Sequence, residues 1–159
     1  MNDSAAGLRF IDPTSATATG PTVLDDAGAI ELLRVSRRIA IVGASSRPWR
    51  ASNSVMRYLL KQGYDCVPVN PHRAEVLGQT CYPTLEAAAA GGDAFDIVDV
   101  FRRPEHTPEI ARSAVATGSG ALWLQQGVIS TEAARIAHEG GLAVVMDRCT
   151  AVLHQHLRR

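Results

Sequence analysis

The chain has 159 residues, 46% of them hydrophobic, which suits one domain with a core of its own. Sixteen basic side chains balance sixteen acidic ones, so the formal net charge is zero. That balance excludes the basic excess of a nucleic-acid binder and the acidic excess of a disordered chain. No apolar run reaches the length needed to span a bilayer.

Residues 1–21 (MNDSAAGLRFIDPTSATATGP) are rich in Ala, Ser, Thr, Gly and Pro and lack periodicity, so they read as a flexible arm ahead of a domain at 22–159. They lack the charged-then-apolar order of a signal peptide. The three cysteines, Cys66, Cys81 and Cys149, are widely spaced, with no CxxC pair and no zinc-like spacing. A cytoplasmic location is the expectation, with no metal site and with Cys149 a structural side chain rather than a reactive thiol.

A helix is expected from about Val23 to Arg37, where Val23, Ala27, Ile30 and Leu33 recur at helical spacing behind an acidic start. The chain then alternates. Short apolar runs at Arg38–Gly43, Asp65–Val69, Asp96–Phe101, Ala121–Leu124 and Leu142–Met146 are bounded by Gly, Pro or Asn and read as strands. Helices are expected between them at Asn53–Gln62, Leu85–Ala90, Pro104–Thr117 and Thr131–Glu139. Pro104 suits a helix start, Ser130 an N-cap, and Gly63, Gly118 and Gly140 the helix ends. Such alternation predicts a single α/β domain: a Rossmann-like, doubly wound parallel sheet of about five strands.

Ligands of such sheets bind where the strand carboxyl ends meet. Arg47, Arg50, Arg73, Arg102, Arg103 and Arg148 fall in the loops expected there, although the chain as a whole is neutral. Guanidinium forks match phosphate oxygens, so these loops point to a polyanionic ligand. The first loop, Gly43-Ala44-Ser45-Ser46, passes from strand to helix and can offer backbone N–H groups to phosphate. It is neither the dinucleotide fingerprint nor a Walker A loop. The second strand ends in Asn70-Pro71-His72-Arg73, without the carboxylate that holds the ribose diol of NAD. A basic residue there suits a ribose phosphate, as in NADP or coenzyme A.

Six segments then occur in register: Gly43-Ala44-Ser45, Pro68-Val69-Asn70-Pro71, Gly78 with Tyr82-Pro83-Thr84-Leu85, Asp96 to Arg103, Ala121 to Gln125, and Val145-Met146-Asp147-Arg148-Cys149. Together they resemble the small stand-alone CoA-binding proteins, themselves similar to the N-terminal CoA-binding domain of the succinyl-CoA synthetase α subunit. The resemblance runs from about Val23 to Leu157. It implies a Rossmann-like fold that binds CoA or an acyl-CoA, with a protein partner or a second copy as further possible company. By position, Gly43, Ala44, Ser45 and Ser46 would face the pyrophosphate, with Arg47 on the same loop. Asn70, Pro71 and Arg73 would lie near the adenosine, Arg73 being the candidate for the 3′-phosphate, and Phe101 and Arg102 would flank the cleft. His72 departs from the smaller or basic residue expected after Asn70-Pro71.

No catalytic set emerges. His106 and His138 read as helix-surface residues, and His154 and His156 as part of a C-terminal tail. The larger CoA ligases use a histidine in a separate domain, for which this chain has no room. The alternative is an NADP-dependent oxidoreductase, but that would require a catalytic pair such as Tyr-Lys. Lys61, the only lysine, is poorly placed for it in the helix after the first strand.

Overall fold

The five apolar runs become one parallel sheet in the computed structural model, which describes residues 21–158. The arm expected at 1–21 lies outside the described residues except for Pro21. In chain order the strands are β1 (Arg38–Val42), β2 (Asp65–Val69), β3 (Glu75–Val76), β4 (Gln79–Thr80), β5 (Ile97–Val100), β6 (Ala121–Leu124) and β7 (Ala143–Val145). The main sheet runs β2-β1-β5-β6-β7, while β3 and β4 form a separate antiparallel hairpin. The helices are α1 (Asp26–Val35), α2 (Ala51–Lys61), α3 (Leu85–Ala90), α4 (Thr107–Ala116), α5 (Thr131–Glu139) and α6 (Thr150–His154).

Both faces of the sheet are covered, which is why its strands read as continuous apolar runs instead of alternating ones. Ile39, Ile41, Ile97 and Trp123 pack with Leu33 of α1, Met56 and Leu59 of α2 and Leu153 of α6. Val42, Val98, Val100, Leu122 and Leu124 pack on the opposite face against the alanines of α3, α4 and α5. The small side chains on α3, α4 and α5 let those helices approach the sheet closely. Ser130 caps α5, its side chain accepting from Ala133 N at 3.1 Å.

The chain leaves β1, forms β2 on one side, then crosses β1 to form β5 on the other. Strand order therefore switches between β1 and β5, and a crevice opens beyond their carboxyl ends.

Several local expectations change. Pro104 begins a short 3₁₀ segment, Pro104–His106, and the α-helix proper starts at Thr107. At the end of α5 the left-handed position belongs to Gly141 (φ 87°) rather than to Gly140. His154 is not in a tail: it is buried in α6, its Nδ1 2.8 Å from the Tyr58 hydroxyl, with edge-on contacts to Tyr58 and Tyr64. This short helix closes the core beneath α1 and α2, whereas His156 lies beyond it and is exposed. Among the described residues no helix is long and apolar enough to cross a membrane.

Candidate functional site

Two hydrogen bonds fix the start of the crevice, with Gly43 N and Ala44 N both donating to Val69 O at 3.0 and 3.3 Å. The first loop thus continues the pairing of β1 with β2, and those two amides are used internally. The N–H groups of Ser45 and Ser46 have no hydrogen-bond partner among the described residues. Asn53 Nδ2 donates to Ser45 O at 2.9 Å, and Asn70 Nδ2 donates to Ala44 O at 2.7 Å, so side chains from α2 and from the end of β2 hold the loop open. The first turn of α2 follows, capped without any side-chain hydrogen bond, and its N–H groups add positive potential at the same place.

Gly43 is required twice over. Its φ is 85°, and a Cβ there would stand 2.8 Å from Phe101 O and 3.0 Å from Arg102 Cδ. Gly43→Ala combines left-handed strain with a clash against backbone, so it is expected to cost roughly 2–4 kcal/mol. Thermal denaturation of the variant checks this; a melting temperature equal to the wild type's would show that the β1–β5 approach is not tight.

A cleft of about 720 Å³ opens over these groups. Gly43, Ala44, Ser45, Arg47, Asn70, Arg73, Phe101 and Arg102 all line it, as do Arg50 and Arg103. Five arginines therefore share one wall set that contains no carboxylate. None of the five makes an ion pair among the described residues, where the paired arginines are Arg34, Arg38, Arg112, Arg135 and Arg148. Pro71 and His72 instead line an adjoining cleft of about 530 Å³ on the α3–α4 side, which shares Gly43, Asn70 and Arg102 with the first. Ser46 lines neither cleft.

Arg148 does not join the basic wall. Its Nε bonds Asp26 Oδ1 at 2.7 Å, because Leu24 N donates to Val144 O of β7 at 2.8 Å and so brings the start of α1 beside that strand. Its backbone carbonyl accepts from Trp123 Nε1 at 2.8 Å. Cys66 and Cys81 are buried core thiols, and burial pushes Cys66 up to about 12. Cys149 is only half-buried and lines the cleft.

The far end of the cleft falls on the loop after β6, which the sequence places at the carboxyl edge but to which it assigns no ligand contact. Gln125, Gln126, Gly127 and Val128 form it, and Asp147 (φ 56°) braces it by accepting from Gly127 N at 2.7 Å. Beneath Gln125 lies Asp99, fully buried at the centre of the sheet, whose carboxyl is raised to about 7 by burial, although bonds from Gln125 and Thr150 oppose the rise. An acid inside an otherwise apolar strand run was the available signal.

Residues 37–155 match the family model described as "CoA binding domain". A curated protein of Bacillus subtilis strain 168, "Uncharacterized protein YneT", is 40% identical over 124 residues, covering 78% of this chain and 90% of that one. A solved "hypothetical protein from Pyrococcus horikoshii OT3" is 40% identical with a TM-score of 0.79, over 86% of this chain and 94% of the other. The ADP-forming acetate–CoA ligase I of Archaeoglobus fulgidus is 22% identical over 135 residues, which are 80% of this chain but 20% of the ligase.

Proposed function

Because the chain belongs to the CoA binding domain family, we propose that its arginine-lined cleft holds coenzyme A or an acyl-CoA, and that the chain works as a binding module. The observation that carries this reading is the grouping of five unpaired arginines, without an acid, on one cleft of a chain with zero net charge. CoA carries its charge on a pyrophosphate and a 3′-phosphate, and guanidinium groups meet such oxygens in pairs. Ser45 N and the first turn of α2 supply further donors without a metal. The close approach at Gly43 keeps the switch point clear of side chain.

In this reading Gly43, Ala44, Ser45 and Arg47 form the pyrophosphate end, with the amides of Gly43 and Ala44 shaping the loop, that of Ser45 donating, and Ser46 set back from the cleft. Asn70 and Arg73 stand on the adenosine side, Pro71 borders it from the adjoining cleft, and Phe101 and Arg102 flank the cleft, Arg102 lining the adjoining one as well. NADP has a ribose phosphate as well and is the competing ligand; NAD has none and would meet Arg73 where its diol needs an acid.

Differential scanning fluorimetry separates the three. At a concentration about a hundred times its Kd, a ligand specific for the native state adds about 2.7 kcal/mol. For a domain of this size that is a rise of roughly 5–10 °C. CoA is expected to give it and NAD to give none. A rise with NADP and none with CoA would replace the CoA reading with a reductase one.

A further inference from the structure

The cleft has two chemically different ends. Its arginines come from the loops after β1, β2 and β5, whereas Gln125, Gln126, Gly127, Val128 and Cys149, after β6 and β7, are uncharged. A ligand spanning the cleft would put its phosphates at one end and a neutral, extended part at the other.

The neutral end rests on a built polar network. Asp99 Oδ1 accepts from Gln125 Nε2 at 2.7 Å, and Asp99 Oδ2 accepts from Thr150 Oγ1 at 3.1 Å. The same Nε2 donates to Thr150 Oγ1 at 2.9 Å. Both N–H bonds of the Gln125 amide are thus committed inward. With Asp99 ionised, reversing the amide would press its carbonyl oxygen against the carboxylate and give up both donated bonds. Oε1 must therefore point the other way. It has no partner among the described residues, yet no side-chain oxygen or nitrogen there is both buried and unpartnered. Gln125 is 5% exposed and lines the cleft, so that exposure and Oε1 face the same space.

We propose that Gln125 Oε1 is the hydrogen-bond acceptor for an amide N–H of the pantetheine arm, with Asp99 and Thr150 as positioning residues that hold the amide this way round. The assignment rests on the CoA reading above. It explains why a carboxyl group sits in the middle of a parallel strand, where an apolar residue would pack at lower cost. A buried network of this kind fixes one orientation of a group that would otherwise turn freely. The arm of CoA carries amide donors at intervals along its length, and an acceptor at the uncharged end of the cleft is the matching group.

Calorimetric titration with CoA and with adenosine 3′,5′-bisphosphate, which lacks the arm, tests this. Gln125→Met removes the acceptor at nearly constant volume. Asp99→Leu with Gln125→Met removes the whole pair, so no buried carboxyl is stranded, and it serves if the single variant folds poorly. Both are expected to weaken CoA by about three- to tenfold and to leave the bisphosphate within about twofold. Asp99→Leu alone, which unlocks the amide without deleting it, is expected to lose part of the CoA affinity and none of the bisphosphate affinity. Folded variants that bind CoA like the wild type would overturn the assignment and leave the CoA reading intact. Equal losses for the two ligands would also overturn it, by showing a general distortion of the cleft. A wild-type chain that binds neither ligand would instead sink the CoA reading itself, and this assignment with it.

Discussion

Arg73→Ala is expected to weaken CoA by roughly ten- to a hundredfold, and dephospho-CoA scarcely at all. Arg73 lines the cleft at the end of β2, and its backbone is held on both sides. Before it, Asn70 Oδ1 accepts from His72 N at 2.8 Å; after it, Cys81 N donates to Ala74 O at 2.9 Å and starts the β3–β4 hairpin. No carboxylate competes for its guanidinium among the described residues. A hydrogen bond to a charged group contributes about 1.5–3 kcal/mol, which sets the expected loss. The contrast with dephospho-CoA isolates the 3′-phosphate, since the two ligands differ in that group alone. Arg57 is unsuitable as the control despite its exposure. Its Nη2 bonds Asn53 Oδ1 at 2.5 Å, and Asn53 in turn holds Ser45 O, so its loss would reach the first loop. Lys61→Ala, in the last turn of the same helix, is the better control. Equal weakening of both ligands by Arg73→Ala would move the 3′-phosphate to Arg47 or Arg102.

Much of this arrangement is legible in the sequence because the physics behind it is local. A strand buried on both faces must be apolar throughout, so β1, β2, β5, β6 and β7 stand out as short runs. Parallel topology then places all their carboxyl ends on one edge, which is why five of the six arginines expected there line the cleft. The misses share the opposite property. The β3–β4 turn is Leu77-Gly78, with φ of 48° and 76°, and a leucine in the first left-handed position hides a turn usually marked by Asn or Asp. Helix α6 spans five residues, too few for periodicity to show, so His154 looked like tail. Arg148 is withdrawn from the cleft by Asp26, 122 positions away in the chain. The Asp99 network joins residues 26 and 51 positions apart, and only its odd acid shows beforehand.

That acid carries the other large expectation, a gain in stability from one substitution that grows with pH. Asp99 titrates at about 7 in the fold against an ordinary 3.8, because burial in the sheet opposes its charge more than the bonds from Gln125 and Thr150 favour it. Between those values the native chain binds more protons than the unfolded one, so stability falls as pH rises from about 4 to about 7 and levels off above. One pKa step is worth about 1.36 kcal/mol, which places the full penalty on the order of 4 kcal/mol at pH 8. Asp99→Asn keeps the side-chain volume and cannot ionise. It strands or reverses one of the network's hydrogen bonds, at about 1 kcal/mol, which does not change with pH. The stability of the asparagine variant relative to wild type is therefore expected to increase by roughly 2–3 kcal/mol between pH 5 and pH 8. At pH 8 the variant is expected to be the more stable protein. Urea denaturation of the two chains side by side at both pH values measures this directly, since groups common to both cancel in the difference. A gap that stays constant would mean that Asp99 is already ionised throughout that range, held by its donors more strongly than burial opposes it. A carboxyl retained at such a cost, against a neutral isostere one substitution away, is expected where the orientation of Gln125 matters more than the last few kcal/mol of stability.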